Sequence, residues 1–304
     1  MFLWHDGAMD DAQFSSTSQQ PVQNALSAKH WQACLNLNFV KAHARTYLAK
    51  NLHVGPLVLQ KSLHPEGPEV CHGVVIHPPG GVAGGDALTL NATLEHAAHG
   101  LLTTPGAGKW YKANGKQASQ HLQFNLEPDT CLEWLPQENI LFDGADVKFS
   151  ADINLAQNAT FLGWEILCFG RQAQNERWQT GGLQQKLRIY RNQKLIWNEC
   201  ANITPDHKIL NSMVGLNGQV VSASLVLAAG KVPDSILAAC KALQPKLALD
   251  LQAKFGVTAL PEIFSARYVG LSSQCAKAYF EELWRLLRPW YVGREAHRPR
   301  IWNT

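Results

Sequence analysis

A mainly β fold carrying a few carboxy-terminal α-helices is predicted by the order in which two periodicities occur along the chain. Apolar and polar residues alternate in short runs from Trp31 onward, and apolar spacing of three and four residues begins only at Asp234. No long linker interrupts the sequence after Trp31, so residues 31–304 are expected to form one domain behind a loose tail over residues 1–30. No fixed-period repeat is visible, which excludes a propeller or a solenoid of copied units.

The strand runs are ACLNLNFV from Ala33, LVLQKSL from Leu57, CHGVVIH from Cys71, ALTLNATLEH from Ala87, QHLQFNLE from Gln120, VKFSADINLA from Val147 and FLGWEILCF from Phe161. KLRIYRNQKLIW, from Lys186 to Trp197, reads as a hairpin about Asn192 and Gln193, with its turn type left open because the dipeptide lacks glycine. Between Asp234 and Phe255 the residues Ile236, Cys240, Leu243, Leu247 and Leu251 keep helical spacing, and Pro245 predicts a kink or a second start there. The cleanest stripe is Ala276, Tyr279, Phe280, Leu283, Leu286 and Leu287, with Ser272 as cap and Pro289 as stop.

Composition narrows the function classes. The 304 residues are 46% hydrophobic and 17% charged, as in ordinary globular proteins. Seven scattered cysteines contain no CxxC, which fits reduced thiols in a cytoplasm. The amino terminus has three aspartates and no basic start, unlike a signal peptide, and the most apolar segment, Val221 to Gly230, is far too short for a bilayer. A net charge of +3 does not argue for nucleic acid, and no membrane is expected.

HPPGGVAGGD, from His77 to Asp86, invites a nucleotide reading. A dinucleotide fingerprint places its glycines between a strand and a helix, and here a strand pattern follows. Gly80, Gly81, Gly84 and Gly85 are therefore expected to shape a tight turn that presents Asp86 and lets strands pack closely. TTPGAGKWYK fails as a P-loop, because Thr103 stands where the first glycine belongs and Trp110 follows Lys109. His72 with His77, and His96 with His99, are spaced to diverge on strands, which leaves open only a metal site assembled from distant residues. No GxSxG elbow or HExxH helix occurs, and no catalytic residues are assigned.

CLEWLPQENILFDGAD sets Glu133, Glu138, Asp143 and Asp146 among large apolar residues, as at a sheet rim or along a polar channel. The last twenty residues hold five arginines with Trp290, Tyr291 and Trp302, an interface composition that predicts a packed or docked terminus.

Taken in order, HPPGGVAGGD, TTPGAGKWYK, LEWLPQENILFDGAD, CFGRQAQNERWQTGGL and RPRIWNT resemble the urease accessory family UreD, called UreH in some systems, from about Trp31 to Thr304. TTPGAGKWYK departs from the family's usual run by Pro105 and two glycines, and the first thirty residues have no counterpart. The resemblance implies β strands layered in a helical arrangement and a non-catalytic role. The expected partners are apo-urease, UreF and, through UreF, the GTPase UreG, in an assembly that delivers nickel to urease. It implies no tightly bound cofactor, with nickel in transit. Asp86, Glu133, Glu138 and Asp143 are the expected nickel path. Lys109, Arg288, Trp290, Arg298, Arg300 and Trp302 are the expected partner surface. Two other readings are carried: a small-molecule enzyme using paired carboxylates between Glu133 and Asp146, and, more weakly, an RNA-binding module using the arginine-rich terminus.

Overall fold

A computed structural model of the chain describes residues 30–244 and 250–303. The expected tail thus lies outside the described residues up to His30, as do Pro245 and Leu247. In chain order the strands are β1 (Gln32–Ala42), β2 (Arg45–Val54), β3 (Val58–Leu59), β4 (Val70–Ile76), β5 (Ala87–Leu94), β6 (His99–Thr103), β7 (Gly108–Trp110), β8 (Ala118–Leu126) and β9 (Cys131–Leu135). There follow β10 (Asn139–Leu141), β11 (Asp146–Leu155), β12 (Thr160–Phe169), β13 (Gly182–Arg191), β14 (Lys194–Ile203), β15 (Val221–Ala228), helix α1 (Asp234–Ala242), β16 (Lys254–Ala259), β17 (Ile263–Gly270) and helix α2 (Ser273–Val292).

The strands form two sheets, one of seven in the order β14-β13-β11-β8-β5-β1-β2 and one of ten whose main path is β16-β17-β15-β12-β9-β6-β4-β3. From β4 to β13 the chain passes back and forth between them. Each return lays a strand parallel to the one before, β4 to β6 to β9 to β12 in the larger sheet and β5 to β8 to β11 to β13 in the smaller. This is the helical layering of strands that the fold class describes.

Burial explains why the two sheets read differently. The smaller sheet has one open face, so β1 and β5 alternate strictly, with Leu35, Leu37, Phe39, Leu88, Leu90 and Leu94 turned inward and Asn36, Asn38, Thr89 and Asn91 turned out. The larger sheet is covered on both faces, by the smaller sheet and by α2, so β9 and β12 are buried almost throughout. Trp164 and Ile166 of β12 belong to the outer core with Phe280, Leu283, Trp284 and Leu287 of α2, whereas Phe161 and Leu167 belong to the core between the sheets. No described helix is long and apolar enough to cross a membrane.

The hairpin after β13 turns at Asn192 and Gln193, both with positive φ (48° and 66°), the signature of a type I′ turn that suits the twist of the paired strands. Helical expectations need two corrections. The stripe from Asp234 stays helical only to Ala242, and Phe255 lies in β16, an edge strand paired with β17. Between them Asp250 is buried, and its Oδ2 accepts from Tyr268 Oη and from the Leu271 and Ser272 amides, so this stretch serves as a brace for the next element. Ser272 caps α2 as expected, accepting from the Cys275 amide. Pro289, however, does not stop the helix. It lies on the exposed side in the last turns, where water can take the freed carbonyl, and the helix ends at Gly293 in the left-handed region (φ 65°). Leu286, expected on the buried stripe, is exposed.

Candidate functional site

Strand β9 carries the sequence CLEWL with every residue buried, so Glu133 enters the protein as a carboxylate among apolar neighbours. Burial alone would neutralise it. It is held instead by a set of donors from α2 and β6. Trp284 Nε1 donates at 2.7 Å, Arg288 Nε at 3.0 Å and Arg288 Nη2 at 3.0 Å, Tyr291 Oη also donates, and His99 Nε2 lies 3.1 Å away. Burial works to raise the Glu133 pKa, but Arg288 and His99 outweigh it, and the group is held well below the usual carboxylate range.

Arg288 is shared. Its side chain is 0% exposed, and it also donates from Nη1 to Glu66 Oε2 at 2.7 Å and to the Glu295 carbonyl at 2.6 Å, and from Nη2 to Glu66 Oε1 at 2.9 Å. His72 completes the set at 2.6 Å from Glu66 Oε1. Burial opposes ionisation of Glu66 too, but its bonds to His72 and Arg288 hold it at about 2. One buried guanidinium thus bridges two carboxylates and ties α2 to β9 and to the loop before β4.

The chain end continues this packing. Trp302 Nε1 donates to Thr103 Oγ1 at 2.8 Å, its ring packs near Trp164 and Trp284, and the Lys277 ammonium sits 4.4 Å from its centroid. Arg298 pairs with Glu281 at 2.9 Å. Burial pulls Lys277 down to about 8. Arg288 and Trp302, expected on a partner surface, are therefore engaged by the protein's own interior. Lys109 and Arg300 are exposed, and Trp290 and Arg298 are half-buried.

The four expected path carboxylates do not share a site. Glu133 is bonded as above. Asp86 is turned inward: Oδ1 accepts the Trp31 amide and Oδ2 the Ala83 amide, each at 2.9 Å, so the glycine turn is closed by Asp86 and does not present it. Asp143 Oδ1 accepts the Gln179 and Thr180 amides at 2.8 Å, and these bonds lower its pKa. The Glu138 side chain, half-buried beside β10, has no hydrogen-bond partner among the described residues. No three His, Cys, Asp or Glu side chains among the described residues are grouped closely enough to hold a metal ion.

The glycine turn is a site of close backbone approach. A Cβ at Gly84 would lie 1.9 Å from the Ala113 carbonyl oxygen, and Gly85 has φ 92°. Gly80 also has positive φ, and Gly81 abuts the Tyr111 ring. The turn stands at one mouth of a cavity of about 380 Å3 between the sheets, where His77, Gly80, Gly81 and Lys109 meet Gln137 and Asn139. Also in its wall, Glu165 on β12 is bonded to Gln185 of the smaller sheet, and desolvation pushes it up to about 7.

Sequence reading missed Glu66, His72, His99 and Glu165 as partners. Arg288 could have been found, since it falls four residues after Trp284 on the apolar stripe, where an arginine needs a buried anion. Glu66 has no such signal.

Comparison with known proteins agrees over nearly the whole chain. The family described as UreD urease accessory protein matches residues 32–303. A "Urease accessory protein UreD" from Methylobacillus flagellatus is 59% identical over 280 residues, covering 92% of this chain and 97% of that one. Proteins of the same name from Dechloromonas aromatica and from Azoarcus sp. strain BH72 are each 42% identical, over 291 and 274 residues, covering 95% and 90% of this chain and 100% and 94% of theirs.

Proposed function

The chain belongs to the UreD family of urease accessory proteins, and from that premise we propose that it is a non-catalytic scaffold of urease maturation in the cytoplasm. It binds apo-urease and recruits UreF, and through UreF the GTPase UreG, so that nickel reaches the urease active site without release into solution. The observation that carries this reading is the extent of the family match, which covers both sheets and α2 together.

Nickel is the cargo, and its handling follows from ligand chemistry. A late divalent ion binds thiolate and imidazole tightly, so a transfer protein must keep such groups from trapping it. Burial pushes Cys71 up to about 11 and Cys168 up to about 12, which keeps both thiols protonated and poor as ligands. Oxygen donors exchange faster. Of Asp86, Glu133, Glu138 and Asp143, the Glu138 carboxylate is the one left without an internal hydrogen-bond partner, and it is proposed as the exchangeable ligand on the path. Glu133, Asp86 and Asp143 are taken up by internal bonds instead.

The test is urease activation in cells carrying the urease structural genes and the full accessory set, with and without this gene. Urease should be expressed but nickel-poor and inactive without it, and restored by this chain alone. Normal nickel content without the gene would end the reading. Glu138→Ala, purified with its partners still bound, should lower the nickel content of urease.

A further inference from the structure

The cavity between the sheets exists because small residues interrupt two rows of large ones. On the inner side of β12, Gly163 stands between Phe161 and Glu165, and a Cβ there would lie 2.6 Å from Phe161 Cζ. In the smaller sheet Ala151 falls between Phe149 and Ile153 on β11, and all of these residues line the space. Its volume of about 380 Å3 is within the range of small-molecule sites, about 300 to 1,000 Å3.

Three acceptors lie together in the wall. Glu165 and Ser224 are register partners on β12 and β15, and Gln185 of the smaller sheet donates to Glu165 Oε2. Glu165 Oε1, Gln185 Oε1 and Ser224 Oγ have no hydrogen-bond partner among the described residues, and none of the three is sealed from the open space. Much of the remaining wall is apolar and includes the rings of Trp110, Trp134, Phe149 and Phe161.

No cation answers Glu165. The nearest charge is Glu199 of β14, which is itself bonded by Arg267 of β17, from Nη1 at 2.6 Å and from Nη2 at 2.7 Å. Lys186 follows Gln185 on β13, so its side chain takes the strand's other face, where it is exposed.

These groups select the ligand. An anion would meet two carboxylates. A hydrocarbon would leave all three acceptors dry. A metal ion would lack ligands, since no three His, Cys, Asp or Glu side chains among the described residues are grouped. A primary ammonium carries three N–H donors on one nitrogen and is attracted by aromatic rings. An apolar substituent on that nitrogen would fill the rest of the space.

We propose that the cavity binds a small primary ammonium compound with an apolar body, its nitrogen donating to Glu165 Oε1, Gln185 Oε1 and Ser224 Oγ and its body lying against Trp134 and Phe161. The inference rests on the cavity and is independent of the nickel reading. Such a ligand favours ionised Glu165, so its affinity follows that group's proton. Desolvation holds Glu165 up at about 7, with its Gln185 bond opposing the rise and the Glu199 charge adding to it. Ionised Glu165 is thus about one-tenth of the total at pH 6 and about nine-tenths at pH 8, and affinity should rise roughly tenfold between them.

The experiment is calorimetric titration of the full chain with benzylammonium, which keeps its proton across this range as a lysine does. Benzyl alcohol and benzoate share its ring and differ in charge. At pH 8 benzylammonium should bind roughly tenfold or more tightly than benzyl alcohol, and benzoate should not bind. Glu165→Gln should lower benzylammonium to the level of benzyl alcohol and remove the pH dependence. Ala151→Leu, which fills the space, should weaken both ligands. The proposal is overturned by no binding of benzylammonium to the unmodified chain, by equal or tighter binding of benzyl alcohol or benzoate, by a preference for benzylammonium that survives in Glu165→Gln, or by undiminished binding in Ala151→Leu. Displacement of benzylammonium by equimolar nickel(II) would assign Glu165 to the metal instead, which also overturns it.

Discussion

Charged residues gather at two places in this molecule, the Glu133–Arg288 network under α2 and the lysines around the glycine turn, and they have opposite fates. In the first, each charge is buried and answered: Arg288 spends its donors on Glu133, Glu66 and the Glu295 carbonyl. In the second, Lys109 and Lys112 stand in solvent without an ion-pair partner among the described residues. A charged residue in a motif is thus no guide to its task. A buried charge whose bonds are all internal holds the fold, and an exposed charge whose neighbours bond elsewhere is free to meet another molecule.

The difference can be tested by breaking the network first. Glu133→Ala leaves Arg288, Trp284 and Tyr291 facing an empty carboxylate site, and should cost about 3–5 kcal/mol of stability, the range for removing one partner of a buried ion pair. A urea unfolding midpoint that does not move would show the network to be dispensable. Replacing Glu66, Glu133 and Arg288 together by apolar residues should cost less than the single change, since neither carboxylate nor the guanidinium is then stranded.

Next in size is the turn itself. Gly84→Val forces a side chain into the Ala113 carbonyl and should cost about 1–3 kcal/mol, as overpacking does. Its urea midpoint should fall without any gain or loss of GTP or NAD binding, because no phosphate site is being altered.

Acidity separates two half-buried carboxylates by sign. Glu66 is held at about 2 against an ordinary 4.5, so its stabilising effect is present above 4.5 and disappears as the pH drops towards 2. Glu165 is pushed up to about 7, so the fold favours its protonated form, and stability declines as the pH rises from 4.5 through 7. Glu165→Gln should flatten that decline in thermal melts across this window and leave the acid limb intact. An unchanged slope would mean that Glu165 is better solvated than its position against the smaller sheet implies.

The smallest effect is expected beside the glycine turn. Lys112→Glu should change stability by less than about 0.5 kcal/mol, as surface substitutions do, although it reverses a charge. A large loss of stability there would place Lys112 with the network, as a structural charge.

Much of this was legible beforehand, though unevenly. Strands were readable wherever one face is open, as in β1 and β5, because alternation survives there. Of the strands covered on both faces, β4 and β12 were read as strand runs and β6, β9 and β17 were not, while β2, an edge strand exposed along most of its length, had little apolar pattern to show. The strand read after the glycine motif is present as β5. Yet the direction of Asp86 was not foreseen, because a carboxylate that presents itself and one that closes its own turn share the same letters. Arg288 and Trp302 were placed on the surface by composition, when their neighbours put them inside.

By itself the sequence determined local matters: where the backbone alternates, where Ser272 starts a helix, where glycine is required, and which family the ordered motifs belong to. The tertiary structure alone decided which charges are answered. Pairing depends on residues far apart in the chain, as Glu66, Glu133 and Arg288 are, and the balance between desolvation and partner bonds exists only once the sheets and α2 have closed around them.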